Sequence, residues 1–544
     1  MPKVDGSYLI ARTLKEEGTD CLFYLMGGPN YEIVNNSEDF GIRTVDFRHE
    51  QAAAMAAHAY GRVKRVPGVT TSASGPGTLN LLTGIYNAFV DAAPMVTLGG
   101  AGPLRDVYRD GFQEVDLPNI FAPVSKSVIR PAYTNRLPEH ISSAFRTATS
   151  DRPGPVYVEC NEDILYGEVD EGAVESPPRA ARVSPPSANP DQIVEAVKIL
   201  SEAERPILLT GSGPWWSGAS DELQEFVDRT RIPFYTTPIA RGLIPEDHPV
   251  SFPAARSTAF RETDAVLVIG TRFNWIMTFG RRISQGAKII QIDVHAAEIG
   301  HNRSVDIGIV ADAKSAMRDM VSEVARTGMR SKADSAWVDY LRDIEMNRRQ
   351  RSEPLENSEQ VPIHPLRLCK ELREVMDRDA ILSVDGNEIL HYGRQSIPTF
   401  EPGHRLNSGA TGCMGVGLPF AIGAKLAKPD KQSVALHGDG SLGMNIQDFD
   451  TAVRHNLPIV VVVSNNEGWT ARVEGVRKPG RELGWTRFDA IAEAMGGYGE
   501  EVTEPAGIGP AFERAFDAGV PAIVNVRTDP TARALSRFVG SKME

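Results

Sequence analysis

Short β-branched and aliphatic runs alternate with stretches of helical spacing along the whole chain. Residues 68–71 (GVTT), 206–209 (PILL), 265–269 (AVLVI) and 459–463 (IVVVV) read as strands buried on both faces. Such alternation predicts parallel sheets flanked by helices, an α/β fold. Two polar, proline-bearing stretches interrupt it and read as linkers: 175–190 (ESPPRAARVSPPSANP) and 351–365 (RSEPLENSEQVPIHP). Cut there, the chain falls into three domains, 1–175, 190–345 and 362–535. Each piece has about 150 to 185 residues, an ordinary domain size.

Composition narrows the function. A net charge of −13 over 544 residues argues against a nucleic-acid partner, which calls for a basic face. Lys3, Asp5, Arg12, Lys15 and Glu16 interrupt the N-terminus, so no signal peptide is expected. No apolar run reaches the roughly 18 to 20 residues of a membrane span. The four cysteines, Cys21, Cys160, Cys369 and Cys413, form no CxxC pair and predict neither a zinc site nor a disulfide framework. A soluble cytoplasmic enzyme fits these features.

The chemistry concentrates in residues 438–469, GDGSLGMNIQDFDTAVRHNLPIVVVVSNNEGW. Asp439 lies in a glycine turn and Asn466 follows an apolar strand 27 positions later. A helix is expected over 444–455 and a strand over 458–463. Asp439 offers a carboxylate, Asn466 an amide oxygen and Gly468 a backbone carbonyl. That oxygen set suits Mg²⁺ carrying a diphosphate, which takes part of the octahedral shell. Glycines let the backbone approach the phosphates, and a following helix offers its N-terminus.

This GDG…NN spacing resembles that of thiamine diphosphate (ThDP) enzymes. A second segment strengthens the likeness. Residues 45–53 (VDFRHEQAA) open an Ala-rich helix, with Glu50 where the family's catalytic glutamate stands, and 72–100 (SASGPGTLNLLTGIYNAFVDAAPMVTLGG) is also family-like. Alone, Glu50 would read as a solvated acid in a first helical turn. The resemblance covers essentially the whole chain. It implies three doubly wound parallel-sheet domains: pyrimidine-binding, central Rossmann-like and diphosphate-binding. It also implies ThDP and Mg²⁺ as cofactors, with ADP a further candidate in the central domain. The active site would lie between the first domain of one subunit and the third of another, making at least a dimer and more specifically a dimer of dimers.

Position by position, the resemblance places Gly386, Asn387, Glu388, Gly438, Gly440, Ser441 and Asn466 at the diphosphate. Gly412 and Met414 would back the thiazolium, Met414 forcing the cofactor into a bend; ordinary core filling is its alternative. Glu50 would hydrogen-bond the pyrimidine, and the cofactor would carry the carbanion chemistry. Gln113 matches a position facing the reacting centre. Glu467, directly after Asn466, is expected as a general base and acid toward a substrate hydroxyl; its alternative is a side chain turned to solvent.

Several reactions fit such a frame. The run 270–280 (GTRFNWIMTFG) resembles oxalyl-CoA decarboxylases and 2-hydroxyacyl-CoA lyases rather than flavin-bearing acetolactate synthases. The resemblance therefore implies a lyase cleaving a 2-hydroxyacyl-CoA to formyl-CoA and an aldehyde or ketone, reversible as carboligation. Arg256, Arg394 and Arg405 are its candidate contacts to CoA phosphates. Residues 528–544 lack the family's Ser-Gly-Arg closing motif. A flavin-independent, acetolactate-synthase-like enzyme on a 2-oxo acid, an oxalyl-CoA decarboxylase and a non-catalytic ThDP-fold subunit are the alternatives. A pyruvate decarboxylase is disfavoured by the lack of a His-His pair in the first domain. A dinucleotide-dependent dehydrogenase is disfavoured because residues 211–214 (GSGP) do not complete GxGxxG.

Overall fold

The computed structural model describes residues 2–177, 184–473, 475 and 479–534. Three parallel sheets organise them. The first contains β1 (Cys21–Tyr24), β2 (Arg43–Asp46), β3 (Gly68–Ser72), β4 (Met95–Ala101), β5 (Ser127–Ile129) and β6 (Pro155–Asn161), ordered β2-β1-β3-β4-β6-β5. The second contains β7 (Pro206–Thr210), β8 (Phe234–Thr236), β9 (Ala265–Ile269), β10 (Lys288–Asp293) and β11 (Ile307–Val310), ordered β8-β7-β9-β10-β11. The third contains β12 (Ile381–Asp385), β13 (Arg405–Leu406), β14 (Ser433–Gly438), β15 (Val460–Asn465), β16 (Tyr498–Val502) and β17 (Ala522–Arg527). Its order, β13-β12-β14-β15-β17-β16, repeats that of the first sheet position for position.

The central strands are apolar because both faces are covered by helices. All of β9 and all of β15 are buried. In the third sheet Val434 pairs with Val460, and Val460 with Ala522, which brings the carboxyl ends of β14, β15 and β17 to one rim. Ligands of open α/β sheets bind at such a rim.

Two expected elements differ. The strand expected at 458–463 forms as Val460–Asn465, because Pro458 has no N–H to give to the ladder. The helix expected at 444–455 is divided into a 3₁₀ turn Ile446–Asp448 and a short helix Phe449–Arg454, after a separate helix Asp439–Gly443. Asn445, at φ −134°, breaks it, and its amide donates to Gly415 O at 2.7 Å. The stretch expected as the second linker is also partly helical, since Ala336–Glu356 runs into it with Pro354 in the last turn. Of the first linker, 178–183 lies outside the described residues, as does 535–544 of the C-terminal segment.

The first and third domains share a core. Ala52, Ala53, Ala56 and Ala57 of the helix Glu50–Lys64 pack with Leu418, Ala421 and Ile422 of the helix Gly417–Ala427. Small residues let the backbones come close: a Cβ on Gly423 would stand 2.2 Å from Ala56 O. Among the described residues no helix is long and apolar enough to cross a membrane.

Candidate active site

A cleft opens at the carboxyl rim of the third sheet. It is lined by Gly386, Asn387, Glu388, Met414, Gly438, Asp439, Gly440, Ser441, Asn466 and Gly468, gathered from four strand ends and the loops after them. Of the residues expected to bind the cofactor in the third domain, Gly412 alone is not on this lining; it sits at φ +62° two residues before Met414. The N-terminus of the helix Glu388–Ser396 opens toward the cleft, a favourable end for anions.

The oxygens at the cleft converge. Gly468 N donates to Asp439 Oδ2 at 2.7 Å. The Asn466 amide lies 2.8 Å from Gly468 O and 3.1 Å from Asp439 Oδ1. With its nitrogen turned there, the amide donates to both; with its oxygen turned there, three oxygens face one point. A carboxylate, an amide oxygen and a backbone carbonyl are hard donors, and the residues present fit Mg²⁺ with a diphosphate completing the shell. Among the described residues no three His, Cys, Asp or Glu side chains gather as an alternative metal cage. Burial pushes the Asp439 carboxyl up to about 6, against backbone donors from Gly440 and Gly468.

Below the cleft, Asp385 accepts from Gly386 N at 2.7 Å and Gly417 N at 3.0 Å, fixing the turns on either side of Met414. Burial raises its carboxyl to about 6 in spite of these donors. His437, fully buried, is lowered by burial to about 3 and so stays neutral. Its Nδ1 lies 3.0 Å from Ser441 Oγ, the hydroxyl of which donates to Gly438 O at 3.0 Å.

Glu50 and Gln113 come together elsewhere. Glu50 begins its helix, capped by His49, and is 5% exposed. Asn80 Nδ2 donates to Glu50 Oε2 at 3.0 Å, and a Cβ on Gly77 would lie 3.1 Å from Oε1. Gln113, at φ +56°, packs its backbone on Gly75 and accepts a hydrogen bond from Ser74 Oγ. One loop, 72–80, thus places both residues. Among the described residues, none of the first domain lines the cleft of the third.

Glu467 departs from its expected role. It is not on the cleft lining, and both carboxylate oxygens are engaged: Arg527 Nη2 donates to Oε1 at 2.9 Å and Arg472 Nη2 to Oε2 at 3.2 Å. The hydrogen bond from Arg527 leads in holding this carboxyl below the ordinary range. A carboxylate so gripped is a poor proton acceptor, and the geometry gives no support to a general base here.

The three arginines expected at CoA phosphates differ in their surroundings. Arg405 is 2% exposed and donates to Ile397 O at 3.4 Å, so it faces the interior rather than a ligand. Arg394 is exposed, with Nη2 3.2 Å from His391 Nδ1. Arg256 stacks on Phe260; burial first, then Arg394, lowers it to about 10. Neither Arg256 nor Arg394 makes an ion pair among the described residues.

A larger cavity, about 280 Å³, lies at the carboxyl ends of β7 to β11. Its walls include Gly213, Arg272 and Asp293 of the central domain, Asp91 and Arg152 of the first, and Gly409 of the third. Gly211 and Gly213 approach Gly270 too closely for a side chain, which keeps the rim open.

Sequence reasoning missed Trp469, Thr528 and Asp529 on the cleft and Asn80 beside Glu50. Trp469 left a trace: it follows Gly468, and its ring lies where a Cβ on Gly440 would be, 2.5 Å away.

Comparison with known proteins agrees with this geometry. Residues 4–120 match the thiamine pyrophosphate enzyme N-terminal TPP binding domain, 193–320 the central domain and 390–526 the C-terminal TPP binding domain. The chain is 33% identical to the acetolactate synthase large subunit IlvG of Mycobacterium tuberculosis, covering 96% of this chain and 95% of that one. It is 33% identical to 2-hydroxyacyl-CoA lyase of Arabidopsis thaliana, covering 98% and 97%. With oxalyl-CoA decarboxylase of Escherichia coli K12 the identity is 30%, covering 97% and 95%. With all three domains matched in order and relatives alike from end to end, the chain belongs to the thiamine pyrophosphate enzyme family.

Proposed function

We propose that the chain is a ThDP- and Mg²⁺-dependent carbon–carbon lyase that cleaves a 2-hydroxyacyl-CoA to formyl-CoA and an aldehyde or ketone. When bound, ThDP supplies a nucleophilic carbon that adds to a carbonyl and an electron sink for the bond that breaks. The chain's own residues do the rest. Asp439, Asn466 and Gly468 would hold the cation, with Gly438, Gly440 and Ser441 beside the diphosphate. Met414 would set the cofactor's bend. Glu50, fixed by Asn80, would share a proton with the pyrimidine, and Gln113 would approach the substrate.

The observation that favours an acyl-CoA substrate is the pair Arg256 and Arg394: the charge of Arg394 is among the causes that lower Arg256, and neither makes an ion pair among the described residues. A phosphate-bearing ligand would relieve that repulsion. The central cavity, with Arg152 and Arg272 on its wall, is the place we assign to a nucleotide such as ADP.

Because the cleft of one chain holds none of its own first-domain residues, we assign Glu50 to the cleft of a second copy. The active unit is then a homodimer, assembled further as a dimer of dimers. A cytoplasmic location is part of the same reading.

A second reading is a 2-oxo acid carboligase like acetolactate synthase. The ion-paired state of Glu467 favours it, since the lyase was expected to use that residue as a base. Purified protein with ThDP and Mg²⁺ should be offered 2-hydroxyacyl-CoAs, oxalyl-CoA and pyruvate in parallel. Formyl-CoA with a carbonyl co-product supports the lyase. Acetolactate from pyruvate with inert CoA esters replaces it by the second reading.

A further inference from the structure

Glu467 stands between the two residues whose oxygens reach the cation point, and its backbone lies at φ +57°, where glycine is favoured. A non-glycine residue held there is strained and persists only where its surroundings over-determine it. Four contacts do so. Beyond the two arginine bonds, Glu467 N donates to Asn465 Oδ1 at 3.2 Å, and Leu483 N donates to Glu467 O at 3.0 Å. The arginines come from different segments. Arg527 ends β17 directly before the cleft residue Thr528, and Arg472 N donates to Pro530 O at 2.6 Å.

The geometry points to Glu467 as a positioning residue for the cation site. Gripped by Arg472 and Arg527, its side chain holds the 465–469 turn in the one conformation that aims the Asn466 amide and the Gly468 carbonyl at the point faced by Asp439. Its partner for this purpose is a divalent cation, reached through its neighbours' oxygens and never touched by its own. The inference rests on the ThDP and Mg²⁺ reading and replaces the base role expected for this residue.

The test is Mg²⁺ affinity of the full chain at saturating ThDP, read by calorimetry and, with Mn²⁺ as probe, by electron paramagnetic resonance. Loss of a charged clamp of this kind is expected to weaken cation binding about tenfold or more in Glu467→Ala. Arg527→Ala should weaken it similarly, and the double variant should be little worse than either, because both changes remove one clamp. Glu467→Gly, which relieves the backbone but cannot be gripped, should recover part of the affinity. The melting temperature of the cofactor-free chain should stay within a few degrees, and excess Mg²⁺ should restore cofactor proton exchange.

Cation affinity within twofold of wild type in both single variants overturns the inference. So does Glu467→Gln that binds Mg²⁺ normally yet loses turnover, which would return the residue to acid–base chemistry. Should Glu467→Ala not fold, Arg527→Ala and Glu467→Gln carry the same comparison. Failure of the wild-type chain itself to bind Mg²⁺ with ThDP overturns the cofactor reading and this inference together; wild-type binding with unaffected variants overturns the inference alone.

Discussion

Asn80 donates its side-chain N–H to Glu50 Oε2 at 3.0 Å, from the same loop on which Gln113 rests. The bond leaves Oε1 on the side of Gly77, where a Cβ would lie 3.1 Å from it. Asn80→Ala should therefore loosen the Glu50 carboxylate without emptying the cofactor site. A hydrogen bond to a charged group contributes about 1.5–3 kcal/mol, so exchange of the cofactor's reactive proton should slow by roughly 10- to 100-fold. Glu50→Gln should slow it further. Nuclear magnetic resonance of quenched samples reads the exchange, and unchanged rates in Asn80→Ala would remove the residue from the argument.

Removing the cation donor has two opposite effects. Asp439→Ala should lower cofactor affinity at fixed Mg²⁺ by at least about 100-fold, a loss of ~3 kcal/mol. Chelation of Mg²⁺ from the wild-type protein should release the cofactor likewise. Yet burial raises the Asp439 carboxyl to about 6, so the charged form is disfavoured in the cofactor-free fold. At pH 8 the cofactor-free variant should melt no lower than wild type by calorimetry.

Asp448 makes stability fall as pH rises. It is fully buried, accepts from Arg48 N at 2.7 Å and Thr451 Oγ1 at 3.1 Å, and is raised by burial to about 7 against the pull of Arg48 and Arg454. Its ordinary value is 3.8. A carboxyl raised on folding binds its proton more tightly in the native state. Its contribution is fully present below the unfolded value and is lost as pH climbs from about 4 through about 7. Melting temperature followed across that window should decline with pH in wild type and less steeply in Asp448→Asn. Equal slopes would show that Asp448 does not titrate in the window.

The crossing of the helices Glu50–Lys64 and Gly417–Ala427 tolerates no added methyl. Gly423→Ala places carbon 2.2 Å from Ala56 O, a backbone atom that cannot swing away. Overpacking of this kind costs about 1–3 kcal/mol. A lowered denaturant midpoint with an unchanged slope is the expected outcome.

What was legible in the sequence follows from which residues are dictated locally. The glycines 386, 438 and 440, with Asp439 and Asn466, could be placed because a hydrated cation and a diphosphate restrict residue type at each position. Glu50 was singled out only through the family resemblance, since a Glu opening a helix after a strand reads by itself as a solvated acid. Glu467 could not, because its direction depends on Arg472, five residues away, and Arg527, sixty away in sequence, and on a left-handed backbone that its residue type does not announce. Arg405 was a candidate contact to CoA phosphates, whereas it is buried as part of β13. The 444–455 helix was broken by one long-range bond, Asn445 to Gly415, which no local periodicity records.

The first and third sheets share one strand order, yet the same strand ends in different residues in each. At the end of β14 stand Gly438 and Asp439; at the matching end of β3 stand Ser72 and Ala73. The shared order lets the same rim present different side chains in the two halves, a glycine–aspartate turn in one and small residues in its twin. Their helices still cross at Gly423 and Ala56, so neither half can drift in shape without its twin following.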